Sequence, residues 1–174
     1  MEDFIYESKS LSNEICDEII NLFETTSINK KFIPINIDCK TESIWYATKN
    51  ILIEELSKHL QDYCSGFFCR KKTIHTIYIE KHSNDKKINF FKNENWKIDF
   101  HIENKQKKIS IINFVWFLND VEEGGQIKIF EYKNIKPEKG KLVFFPTEWF
   151  FPYRDIQPIS NDKYIITGSI YIDF

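Results

Sequence analysis

Apolar residues follow two different spacings along the chain. In the front third they recur at helical intervals. 'LSNEICDEIINLFE' sets Ile15, Ile19, Leu22 and Phe23 on one face, behind a serine, Ser12, suited to cap a first turn, and this predicts an amphipathic helix. A second helix is expected in 'SIWYATKNILIEELSKHLQDYC', where Leu52, Leu56, Leu60 and Tyr63 form one stripe and His59 borders it as a packing residue. From 'KKTIHTIYIEK' onward the period shortens, and β-rich runs are separated by turn signals: 'ND' and 'EGG' around residues 119 to 125, then 'IKPEKGK'. 'KISIINFVWFL' is apolar at successive positions, which predicts a central strand covered on both faces, and 'KYIITGSIYIDF' predicts a closing strand.

Two helices followed by about eight strands predict a mainly β fold, a sandwich or jelly roll with the helices against one sheet. Residues 1–174 are expected to form one domain, with 1–65 mostly helical support and 66–174 the jelly roll; no repeat, low-complexity tract or linker interrupts them. The 174 residues are 42% hydrophobic and include 16 Phe, enough for a substantial single core. Lys and Arg number 24 against 26 Asp and Glu, so no one-signed field draws the chain to nucleic acid or an anionic membrane. With no basic-then-apolar leader and no long apolar run, a soluble cytoplasmic protein is expected. Cys16, Cys39, Cys64 and Cys69 are irregularly spaced, and a lone C-x4-C pair is better read as reduced thiols than as a zinc site.

'WFLNDVEEGGQIKIF', 'IKPEKGKLVFFPTEW' and 'KYIITG', in that order, resemble the C-terminal half of Fe(II)/2-oxoglutarate oxygenases of the prolyl 4-hydroxylase-like type, in particular the small phage and marine bacterial versions. The opening 'LSNEICDEII' also resembles their first helix. The resemblance implies a double-stranded β-helix and an oxygenase using Fe(II) and 2-oxoglutarate. Such iron is held by two imidazoles and one carboxylate, which leaves positions for a 2-oxoacid and dioxygen. A His-x-carboxylate pair can supply two ligands from one strand, because i and i+2 project to the same side. 'FHIEN' offers His101 and Glu103 for this pair. Lys163 of 'KYIITG' matches the family cation for the distal carboxylate of 2-oxoglutarate, with Arg154 as a second cosubstrate residue. Sharing a face with Ile165, Thr167 and Ser169, the Lys163 ammonium should find an anion or other acceptor. 'TIYIEKHS' resembles the family strand that points a Gln and a Tyr into the barrel, so Glu80 and His82 are expected to face inward.

Against that pattern the chain departs in one stretch. Aligned on Phe145-Pro146 and Arg154, 'FFPTEWFFPYR' carries Phe151 where the second iron-binding histidine belongs. Tyr153 replaces another common histidine, Asp155 a usual glycine, and Ile127 a polar residue after 'GG'. The substitutes within reach are weak: His82 is expected to be a hydrogen-bonded core residue, and Tyr153, with an ordinary phenol pKa of about 10, is a poor ligand for Fe(II) at neutral pH. Two functions follow. One is a 2-oxoglutarate dioxygenase with a degenerate iron site, completed by water or another side chain. The other is a catalytically inactive, metal-free jelly roll that binds a ligand or a partner protein. The substrate, peptide or small molecule, is not legible in the residues. 'DKKINFFKNEN' is expected to form a loop over the pocket mouth, where Phe90, Phe91 and Trp96 either contact substrate or cover the sheet.

Overall fold

Helix α1 (Asn13–Thr26) begins where the Ile15 N–H donates to Ser12 Oγ at 3.3 Å, and it turns Cys16, Ile19 and Phe23 inward. In this computed structural model, which describes residues 4–26, 31–38, 40–65, 72–84, 96–105, 107–130 and 133–174, the second helix is α2 (Tyr46–Cys64). Its buried face carries Leu52, Leu56 and Leu60 together with His59. The His59 ring lies 2.8 Å from the Tyr6 hydroxyl and 3.5 Å from Glu55, a packing histidine as the stripe predicts.

The strands are β1 (Tyr6–Lys9), β2 (Phe32–Asn36), β3 (Lys72–His82), β4 (Ile102–Glu103), β5 (Lys108–Phe117), β6 (Ile127–Ile129), β7 (Lys133–Ile135), β8 (Lys141–Pro146), β9 (Tyr153–Asp155) and β10 (Lys163–Asp173). The larger sheet runs β1-β8-β5-β10-β3-β2, with β4 added beside β5, and the smaller runs β7-β6-β9; every pairing is antiparallel. This is the jelly-roll class expected. The front third nevertheless does more than support it: β1 and β2 close both edges of the larger sheet, which blunts edges that would otherwise offer unpaired backbone.

Period-2 alternation divides the core in two. Ile112, Phe114 and Trp116 of β5, with Leu142 and Phe144 of β8 and Ile166 and Ile170 of β10, pack under the helices. Their neighbours Val115, Phe117, Val143, Phe145 and Ile165 face the smaller sheet, where Ile127, Ile129 and Ile135 meet them. β5 is therefore apolar on both faces because both are covered. Gly168 on β10 is required by this packing: a Cβ there would stand 2.4 Å from Phe114 Cζ. Cys16 and Cys64 are buried free thiols, while Cys39 and Cys69 lie outside the described residues. Among the described residues no helix is long and apolar enough to cross a membrane.

Candidate functional site

A cavity of about 320 Å³ opens between the two sheets. It takes Thr76, Tyr78 and Glu80 from β3, Asn113 and Val115 from β5, Ile165, Thr167, Ser169 and Tyr171 from β10, and Tyr153 and Asp155 from β9. Lys97, Asp99 and Glu103, before and within β4, complete one wall.

One end is shut by charge. Lys163 is fully buried, and its ammonium donates to the Asp155 carboxylate and, at 3.1 Å, to the carbonyl of Gly125. Gly125 holds φ +74°, a left-handed conformation that glycine adopts without strain, and this turns its carbonyl to the lysine. The other Asp155 oxygen lies 3.1 Å from His82 Nδ1, His82 Nε2 lies 3.1 Å from Glu80, and Glu80 accepts from Thr167 Oγ1 at 2.5 Å. Burial opposes charge on Asp155, but the Lys163 ammonium and then His82 outweigh it and hold the carboxyl down to about 2. Burial likewise lowers the His82 pKa, yet Asp155 and Glu80 overcome that and raise it above the ordinary value.

In the middle of the cavity Asp99 Oδ2 accepts from the Tyr153 hydroxyl at 2.5 Å and from Asn113 Nδ2 at 3.3 Å, while Asn113 Oδ1 accepts from Ser169 Oγ at 2.9 Å. Lys97 and Tyr153 exchange backbone bonds of 2.7 and 3.0 Å, which fixes Asp99 opposite the phenol. Burial and then the Asp99 charge push the Tyr153 phenol far above its ordinary pKa, so it stays a neutral donor.

The residues singled out in the sequence are divided among different places. Glu103 lines the cavity; His101 is exposed and does not. The shared face predicted for the pair requires regular strand, and β4 starts only at Ile102; His101 precedes it, tied by backbone to Ser110 through bonds of 2.8 Å to Oγ and 2.9 Å from its N–H. Phe151 is buried away from the cavity among Phe4, Phe130 and Phe150, at ring separations of 6.1, 5.5 and 5.2 Å. Tyr153, two residues on, takes the inward position instead. Arg154 projects from the other side of β9 and stacks 4.6 Å over the Trp96 ring, not toward the Lys163 end. Phe90 and Phe91 lie outside the described residues.

Asp99, Asn113 and Tyr171 were not anticipated. Parity would have found one of them: Tyr171 continues the Lys163, Ile165, Thr167, Ser169 series. The pairing of Asp155 with Lys163 joins β9 to β10 across a turn, and no local pattern announces it. Among the described residues, no three or more His, Cys, Asp or Glu side chains stand together in a way that would hold a metal ion.

Comparison with known proteins places the fold. No curated protein matches the sequence. The viral collagen prolyl hydroxylase of Paramecium bursaria Chlorella virus-1, in a truncated form, matches with a TM-score of 0.72 at 16% identity over 97% of this chain and 90% of that one. Its 2-oxoglutarate complex matches at 0.71 and 16%, over 98% and 97%. A Pseudomonas putida prolyl-4-hydroxylase matches at 0.67 and 12%, over 98% and 93%. At such identities these establish the jelly roll alone. The sequence adds to this: residues 86–171, close to half of the chain, match the model of the 2OG-Fe(II) oxygenase superfamily.

Proposed function

We propose that this chain is a member of the superfamily with a degenerate iron site, acting as a ligand-binding jelly roll that does not turn over 2-oxoglutarate. The observation that carries this reading is the internal ion pair of Lys163 and Asp155. By resemblance, Lys163 is the residue that should anchor the distal carboxylate of 2-oxoglutarate. Here that ammonium is wholly buried and already neutralised by a carboxylate of the same chain. A dianionic cosubstrate would also enter a cavity lined by Glu80, Asp99, Glu103 and Asp155, where like charges disfavour it.

Iron fits no better. His82 is the imidazole nearest the closed end, and both of its ring nitrogens already face carboxylates, at 3.1 Å each. The Tyr153 phenol is committed to Asp99, and the exposed His101 stands apart from the cavity that Glu103 lines.

Incubation of the protein with Fe(II), ascorbate, oxygen and 2-oxoglutarate tests the reading. Succinate should not exceed that of the protein-free control. Succinate above the control that is abolished by His101→Ala would overturn the proposal and establish the dioxygenase reading with a reduced ligand set.

A further inference from the structure

Among the described residues, three of the four carboxylates that line the cavity are held by donors and one is not. Asp155 has Lys163 and His82, Glu80 has His82 and Thr167, and Asp99 has Tyr153 and Asn113. Glu103 Oε2, by contrast, is sealed from solvent without a hydrogen-bond partner. An acceptor left in this condition is costly, and a donor brought by a ligand relieves that cost.

The surroundings of Glu103 define what kind of donor. Glu103 pairs with Lys108 across β4 and β5, Lys108 pairs in turn with Asp173 of β10, and Tyr171 precedes Asp173 by two, so Glu103 and Tyr171 share one end of the cavity; burial first, and then the charge of Glu103, raises the Tyr171 pKa. Tyr171 is separated from Lys163 along β10 by roughly 26 Å at about 3.3 Å per residue, so this is the end opposite the buried ion pair. Tyr78, 39% exposed, stands at the rim. The negative groups of the cavity, four carboxylates, outnumber Lys97, Lys163 and His82 even when His82 is protonated. The two tyrosine ring faces attract an organic cation. A hard metal ion would want several oxygen ligands where one carboxylate is free.

Resting on the non-catalytic reading above, we propose that the end of the cavity bounded by Glu103, Tyr171 and Tyr78 binds an organic cation, a primary ammonium or guanidinium on a narrow alkyl stem. Glu103 receives the charge-assisted hydrogen bonds, Tyr171 and the rim residue Tyr78 face the cation, and the stem runs along the cavity past Ser169 and Asn113 toward Thr167. Such a head group belongs either to a free amine or to a lysine or arginine side chain of a peptide.

Isothermal titration of the whole chain separates the cases. The probes are agmatine as the free cation, acetyl-Ala-Arg-Ala-amide as the peptide form, and glutarate as an anion of similar length. Saturable binding of either cation with no heat from glutarate is expected, and the tighter cation identifies the source. Glu103→Gln, close in shape, should weaken the cation by roughly 30-fold or more, as loss of a desolvated charge partner does. Tyr78→Leu at the rim should weaken it several-fold with an unchanged thermal melt, which guards against a folding defect in the first variant. The site is overturned if neither cation binds, if glutarate binds as tightly, or if both variants bind like wild type. Succinate formation, scored on the same sample, reports separately on the non-catalytic reading: a sample without succinate and without cation binding overturns the cation site alone.

Discussion

Asp155→Asn removes one charge from the closed end of the cavity and almost no volume. Lys163 then stays fully buried with only the Gly125 carbonyl and a neutral amide before it. The drop of the Asp155 carboxyl from an ordinary 3.8 to about 2 is worth roughly 2 kcal/mol, at about 1.4 kcal/mol per tenfold. Because the carboxylate is only 11% exposed, solvent screening takes little from that figure. The lost attraction is part of the whole cost of stranding the ammonium, and breaking a buried pair by removing one partner costs about 3–5 kcal/mol in all. A loss of about 3 kcal/mol is therefore expected. Urea unfolding at neutral pH should show the midpoint falling by about 1.5 M, for a slope of about 2 kcal/mol per molar. Asp155→Asn combined with Lys163→Met should recover most of the loss, because the unpaired charge is gone. The sign with pH is also fixed. The folded pKa is depressed, so the wild-type contribution is present above the ordinary value of 3.8 and is lost as pH falls from there toward about 2. The variant should lack that acid-dependent segment. A loss below about 1 kcal/mol, the range of solvent-exposed pairs, would refute the claim that Asp155 is the counterion of a buried lysine.

His82 is raised above its ordinary pKa, so its stabilising charge is complete below the unfolded value and declines as pH rises through the folded one. His82→Gln should flatten the stability profile measured from about pH 6 to about pH 9. Gly168→Ala forces a methyl to within 2.4 Å of Phe114 Cζ, and a thermal melt should report a loss of about 1–3 kcal/mol. Recovery in the Gly168→Ala, Phe114→Leu double variant would assign that loss to the ring contact. Phe151→His places an imidazole among phenylalanine rings and not in the cavity, so Mn(II) affinity measured by EPR should not rise, while stability falls by about 2–4 kcal/mol.

Local chemistry was enough for the elements and for the likeness to the family. Helical spacing behind Ser12, uninterrupted apolarity in β5 and the three C-terminal motifs each describe a short range of chain, and each maps onto one element: α1, the covered central strand, and the succession from β5 to β10. Alternation along β10 also put Lys163, Ile165, Thr167 and Ser169 on one face, since period 2 holds wherever a strand is regular. It failed where the strand was not regular. His101 and Glu103 satisfy the i, i+2 rule on paper, but β4 begins between them and their environments part. In 'FFPTEWFFPYR' the choice of Phe151 or Tyr153 as the inward residue depended on where the irregular chain after β8 re-entered a sheet. The backbone bridge between Lys97 and Tyr153 fixed that choice from another part of the chain.

What the sequence by itself determined was the fold class and the likeness to the superfamily, because composition, periodicity and motif order are properties of contiguous residues. Only the tertiary structure decided that the departures work together. Asp155 reads in isolation as a glycine lost from a turn, yet across the barrel it neutralises Lys163; Tyr153 reads as a histidine lost, yet it meets Asp99. Each pairing unites residues brought together by tertiary packing and not by spacing, and the electrostatic energy that gives them meaning exists only once folding removes water from between them.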